Sequence, residues 1–196
     1  MGIISMQEYL QGNPEVLNPC RETSDEQHFR RWEVSREALV QKAYDASKLA
    51  ISYRDFRVGC AVLAWRPRRQ SAEPWQIDED PADYLCNRWA TFTGANLKPE
   101  KSGPKICAEQ IAVNSARMAH YTRIIGIVVV GEPQSDDDSG LTHDTLHPCV
   151  ICRRLLAALP EMRSDTRILT GGLHGDRIRI REYSFEELLK LHQTQR

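Results

Sequence analysis

Thr166-Arg167-Ile168-Leu169-Thr170-Gly171-Gly172-Leu173-His174-Gly175-Asp176-Arg177-Ile178-Arg179-Ile180-Arg181-Glu182 contains two β-rich runs with only a handful of residues between them. Thr166 to Thr170 reads as one strand and Ile178 to Glu182 as the next, with Gly171-Gly172 and His174-Gly175-Asp176 as the connection. A parallel pair needs a crossover of a dozen or more residues, so these two strands pair antiparallel.

Working back from that hairpin, the chain alternates strands and helices. Arg123 to Gly131 reads as a central strand whose stretch from Ile124 to Val130 is, Gly126 apart, apolar and β-branched, the pattern of a strand buried on both faces. Phe56 to Trp65 and Trp89 to Asn96 are further strands. Cys107 to His120 reads as a helix rich in small residues. Cys149 to Leu159 reads as a second, with Cys149, Cys152, Leu156 and Leu159 on one side. Ser184 with Glu187 makes a capping box that opens a terminal helix. Ser35 reads as the N-cap of a first helix carrying Leu39, Val40, Ala43, Ala46 and Ala50, which ends before Tyr53. The expected architecture is α/β: a three-layer α/β/α fold around a five-stranded mixed sheet whose last two strands are antiparallel. Residues 1–34 read as an N-terminal extension and 35–196 as one domain. Residues 66–87, with Pro67, Pro74, Pro81 and an acidic Asp78-Glu79-Asp80, form a long inserted loop. Trp75 lies inside that loop and Trp65 and Trp89 flank it, which suits pinning it to the body, the alternative being that they cover a ligand.

The bulk numbers exclude several classes. The chain has 196 residues and a formal net charge of -1, with no concentrated basic surface of the kind that binds nucleic acid polymers. The short Arg66-Pro67-Arg68-Arg69 run reads as a solvated loop. No stretch approaches the ~20 apolar residues of a membrane helix. The N-terminus lacks the basic start and apolar run of a signal peptide. A cytoplasmic place with reduced thiols is expected, so the six cysteines are not read as a disulfide framework. Cys20, Cys60 and Cys86 have no ligand spacing and read as ordinary thiols. Asp136-Asp137-Asp138 lacks the rest of a calcium loop and reads as solvated.

The chemistry sits in Cys107-Ala108-Glu109 and Pro148-Cys149-Val150-Ile151-Cys152. Each cysteine group opens an expected helix, where free N–H groups favour thiolate. Three thiolates converging there hold one zinc ion. Three protein ligands leave a fourth position open to water, the pattern of a catalytic rather than a structural zinc. Glu109, two residues past Cys107, is placed to move protons without ligating the metal. Two other readings stand beside this one. A redox Cys-x-x-Cys leaves Cys107 and Glu109 without a role. A closed structural zinc needs a fourth ligand from His147, His143 or His120.

On these residues the chain resembles the cytidine deaminase family, including its blasticidin S deaminase branch, over roughly residues 36–190. Tyr53-Arg54-Asp55-Phe56-Arg57-Val58-Gly59-Cys60-Ala61 is similar to the family's Tyr-Ser-Asn-Phe-Lys-Val-Gly-Ala-Ala segment. Gly94-Ala95-Asn96-Leu97 is similar to its Gly-Cys-Asn-Val/Ile segment, and the two cysteine motifs match its zinc motifs. The resemblance implies a cytidine-deaminase-like fold and hydrolytic deamination of cytidine, deoxycytidine or a related cytosine nucleoside, as in pyrimidine salvage. It implies one Zn2+ per chain on Cys107, Cys149 and Cys152, with Glu109 as proton shuttle. It also implies a small-molecule nucleoside substrate with no nucleic acid polymer and no membrane partner, and a homo-oligomer, dimer or tetramer. The antiparallel last pair agrees with the nucleoside deaminases, since the relatives acting on tRNA and deoxycytidylate have it parallel. Phe56 is expected near the pyrimidine ring, Asn96 on the ribose, and backbone groups around Ala108 on the base.

The chain departs from the family pattern at three places. Lys98 stands where the family carries a sugar-binding Glu, so an acceptor becomes a donor-only cation. That suits a modified or charged aminopyrimidine nucleoside; the alternative is a lysine pointing to solvent. Gln110 stands where the tetrameric members often carry Arg, and Arg153 is the candidate for supplying charge beside the thiolates, against a plain helix-surface arginine. The family's Leu-Pro…Phe-Gly-Pro tail is absent.

Overall fold

The computed structural model describes residues 25–67, 88–133, 143–175 and 177–193. Asp78-Glu79-Asp80, Trp75, Cys20, Cys86 and Asp136-Asp137-Asp138 lie outside the described residues, as does nearly all of the 66–87 insertion.

The first helix, α1 (Asp25–Ser47), starts ten residues ahead of the expected Ser35 cap, so residues 25–34 are helical and Ser35 lies inside the helix. Its buried positions His28, Trp32, Leu39, Ala43 and Ala46 follow one another at helical intervals. The helix start is tied down by Arg123, which reaches Asp25 at 2.7 Å and Asp165 at 3.0 Å. That guanidinium holds the Asp25 carboxyl below its ordinary range.

After α1 come the short β1 (Ile51–Ser52), then β2 (Val58–Trp65), β3 (Trp89–Ala95) and the short β4 (Leu97–Lys98). They are followed by α2 (Ala108–Met118), β5 (Arg123–Gly131), α3 (Val150–Ala157), β6 (Arg167–His174), β7 (Arg177–Ser184) and α4 (Phe185–Gln193). Among the described residues the main sheet has five strands in the order β3-β2-β5-β6-β7. Only β5 and β6 run parallel; β6 and β7 pair antiparallel as expected, from Arg167↔Ser184 to His174↔Arg177.

Two apolar layers sandwich the sheet. Trp32, Leu39 and Ala43 of α1 pack with Ala61, Leu63, Ile125, Val128, Val130 and Leu169 on one face. On the other, residues of α2, α3 and α4, among them Ala112, Val113, Leu156 and Leu188, pack with Val62, Ile127, Val129 and Ile168. The fold is therefore three-layer α/β/α. In β5, Leu63 pairs with Gly126 but Ala64 with Ile124, leaving Ile125 as an extra residue and shifting the strand's alternation.

Two expected breaks are not breaks. Gly171-Gly172 and His174 belong to β6, and Gly175 follows as a turn residue with positive φ. Glycine is needed there for close approach: a Cβ on Gly172 would lie 2.3 Å from the Asp144 carbonyl oxygen. The capping box at Ser184 forms as expected, with Ser184 N–H donating to Glu187 at 2.7 Å and Glu187 N–H to Ser184 Oγ at 3.2 Å. Among the described residues, no helix is long and apolar enough to cross a membrane.

Trp65 and Trp89 face each other across β2 and β3, and the His28 ring of α1 meets both edge-on at 5.1 and 5.3 Å. Burial lowers the His28 pKa, so the ring sits neutral between two indoles. Trp32 is wholly buried, and its indole N–H donates to Glu182 of β7 at 2.8 Å. Trp32→Ala should cost about 3–5 kcal/mol of stability, read as a lowered denaturant midpoint; a midpoint unchanged from wild type would refute its place in the core.

Candidate active site

Three helix and strand ends meet at the site. Cys107 is the N-cap of α2, with extended backbone, and its N–H donates to Gln110 Oε1 at 3.0 Å in a capping box. Gln110 therefore orients the Cys107 backbone as an acceptor. The N-terminus of α2 can approach β3 because position 94 is glycine: a Cβ there would lie 2.3 Å from the Ala108 carbonyl oxygen. Cys149 is the N-cap of α3, and Cys152, one turn on, is fully buried.

The three sulfurs lie within 4.8 Å of one another, and Cys107 Sγ is 3.8 Å from Cys149 Sγ. Two thiolates each about 2.3 Å from one tetrahedral ion stand about 3.8 Å apart, so the Cys107–Cys149 spacing fits a shared zinc ion. Thiol hydrogen bonds from Cys107 and Cys152, with the N–H groups of Cys152 and Ile151, push the Cys149 pKa down. Its neighbours are pushed up by donating. Cys60 is buried and takes no part; burial pushes its thiol pKa up.

Glu109 is 4 % exposed, and burial drives its pKa up to about 7. Its carboxylate is not in the ligand group, and no histidine joins that group among the described residues. His120, one suggested fourth ligand, is exposed at the far end of α2 with positive φ. His143 and His147, the other two, gather in a separate cluster with His192.

These groups border a cavity of about 110 Å³, lined also by Phe56, Asn96, Lys98, Ala108 and Arg153. Phe56 is half-buried, packs against the core and lines the cavity. Asn96 is 2 % exposed, and its amide is largely committed: Oδ1 accepts from Val58 N–H at 2.8 Å and Nδ2 donates to the Phe56 carbonyl at 2.9 Å. By its donor count, one Nδ2–H remains for a ligand. Lys98 is half-buried on the cavity wall, with its Nζ 5.9 Å from the Phe56 ring centroid, and does not simply point into solvent. It is placed by β4, which pairs in parallel with β1 (Ser52↔Lys98), a two-residue ladder with no periodicity to reveal it. Arg153 is buried and donates to the Pro148 carbonyl at 2.8 Å, so it braces the loop entering Cys149 and is not a surface arginine.

Neither a family model nor a curated protein matches this chain. A solved structure of cytidine deaminase from Burkholderia pseudomallei does, at 26% identity and a TM-score of 0.53, covering 78% of this chain and 94% of that one. The chain is cytidine-deaminase-like. Cytidine deaminases from Mycobacterium leprae (19% identity, TM-score 0.47, 79% of this chain and 94% of that) and Mycobacterium tuberculosis (22%, 0.44, 79% and 91%) also match more loosely.

In this cytidine-deaminase-like chain, His192 is the cavity's neighbour that sequence reasoning missed. The sequence offers His143 and His147 only as candidate fourth ligands to the cysteine zinc, and His192 joins them through the packing of α4.

Proposed function

We propose that the protein hydrolytically deaminates cytidine, deoxycytidine or a close aminopyrimidine analogue, forming the uracil-type ring and ammonia. The observation that carries this reading is a buried carboxyl, Glu109, beside three convergent thiols on the wall of one cavity. Likeness to the Burkholderia cytidine deaminase supports it. Cys107, Cys149 and Cys152 would hold one zinc ion, which supplies Lewis acidity and lowers the pKa of bound water.

The chain's own residues do the rest. Phe56 packs against the ring and helps exclude water. The spare Nδ2–H of Asn96 faces the sugar, while its other contacts lock the Phe56–Val58 turn. Backbone groups at Ala108 read the base. Glu109 takes one proton from the attacking water and passes it to ring N3 as the C4–O bond forms; it then takes the remaining proton from the C4 hydroxyl and delivers it to the amine, so ammonia leaves as the C4=O double bond forms. Burial holds the Glu109 carboxyl above its ordinary range, which favours a group that both accepts and returns protons. Gln110 and Arg153 fix the backbone on which Cys107 and Cys149 sit. The same proposal includes a homo-oligomer: Ile151 and Leu155, four apart on α3, expose apolar surface.

The test is ammonia release with the accompanying absorbance change, using zinc-loaded protein and a panel of cytidine, deoxycytidine, their monophosphates and cytosine-containing antibiotics. Conversion of one or more supports the reading; conversion of none refutes it.

Lys98 favours a second reading in which the substrate carries a carboxylate or phosphate. Lys98→Glu should move the kcat/KM ratio of cytidine over its monophosphate or a carboxylated analogue upward by roughly 10–100-fold, the worth of a charged hydrogen bond. An unchanged ratio removes this reading.

A further inference from the structure

His143 and His147 sit in the non-helical segment leading to Pro148, and His192 lies in the last turn of α4. One ring nitrogen from each lies within 4.8 Å of the other two. His147 Nδ1 and His192 Nε2 are 3.0 Å apart, with ring planes at 78°. His143 stacks on His147 with centroids 4.0 Å apart, and its Nε2 is buried without a hydrogen-bond partner. The edge of the arrangement is closed by Tyr183, whose ring meets His147 at 5.4 Å.

Segment 143–147 is held firmly in this position. Leu146 is buried in the core, Thr145 Oγ1 meets Thr170 Oγ1 at 2.7 Å, and the Asp144 carboxylate takes Arg181 at 3.0 Å. The backbone of 144–145 presses on Gly172. The histidines are therefore presented by a braced loop and a packed helix, as metal ligands require.

We propose that His143, His147 and His192 form a second metal site, separate from the three cysteines, for a divalent transition ion of the zinc, nickel or copper class. Two nitrogens each about 2.0–2.1 Å from one ion, at tetrahedral or right angles, stand about 2.8–3.4 Å apart, a span that includes the His147–His192 pair, whose hydrogen bond the ion would replace. Stacked rings point their lone pairs along parallel lines, so His143 turns out of its stack to complete the set and satisfy a buried nitrogen. An all-imidazole set suits borderline ions, whereas the thiolate set is softer, so the two sites differ in kind. His143 and His147 also line the cavity, so an ion here puts positive charge on the cavity wall and clamps α4 to the loop entering Cys149. The inference rests on the histidine geometry alone and stands apart from the deaminase reading.

The test is a cobalt titration of the metal-free full-length protein, followed by absorbance and by metal analysis after desalting. Two ions per chain should bind: one with the near-ultraviolet band of cobalt–thiolate charge transfer, one with visible d–d absorption and no added thiolate band. His192→Gln and His143→Gln should each bind one ion and keep the thiolate band; Cys149→Ser should lose that band and keep the second ion. If His192→Gln fails to fold, as seen by circular dichroism, the half-buried loop variant His143→Gln decides the matter. One ion per chain in the wild-type protein, or two in the folded histidine variants, overturns the proposal.

Discussion

Glu109→Gln lowers deamination by roughly 10²–10⁴-fold and leaves zinc in place, the expected loss when a positioned acid–base group is removed. The side chain is 4 % exposed and outside the sulfur group, so its replacement by an isosteric amide changes neither packing nor ligand count. An amide cannot take the water's proton or give it to the amine. Zinc content by metal analysis and turnover by ammonia release separate the two roles. Retained turnover would remove Glu109 from the chemistry, and lost zinc would make it a ligand.

Removing a thiol has the second large effect. Cys149→Ser should abolish stable zinc binding and with it turnover, because Cys107, Cys149 and Cys152 are the only ligand-type side chains in their group among the described residues. The metal also contributes to stability. An ion present at a thousand times its dissociation constant stabilises the folded state by about 4 kcal/mol, so chelation should lower the Tm of the wild-type protein markedly. In Cys149→Ser the thiolate-site part of that chelator effect should vanish. A Tm equally sensitive to chelator in both proteins would place the stabilising ion elsewhere.

The parts of the fold that could be read from the sequence are those where local pattern and tertiary demand coincide. β5 is apolar at every position from Ile124 to Val130 except Gly126, and it is buried on both faces. The hairpin follows from connection length alone. The start of α1 was hidden because its face continues through His28 and Trp32 among Gln27, Arg30, Arg31 and Glu33; a polar histidine and flanking charges blur the stripe, and only packing on Trp65, Trp89 and Glu182 makes it a core face. β6 runs through Gly171-Gly172 against glycine's usual meaning because another segment crosses it closely.

At the site, the residues bearing the chemistry were legible and their supports were not. The cysteine spacing and Glu109 are written locally. That Gln110 caps Cys107, that Arg153 braces Pro148, and that the Asn96 amide is largely committed to the Phe56–Val58 turn are consequences of segments meeting from distant parts of the chain. The histidine cluster is the extreme case, since His192 lies 45 residues beyond His147.

The most direct test of the central claim is to titrate zinc back into metal-free protein while measuring ammonia release from the substrate that the panel identifies. Activity should be absent without metal, rise in step with occupancy of the cysteine site and level off at one zinc there; Cys149→Ser should show no rise. Full activity in the metal-free protein, or undiminished activity in Cys149→Ser, would contradict the account.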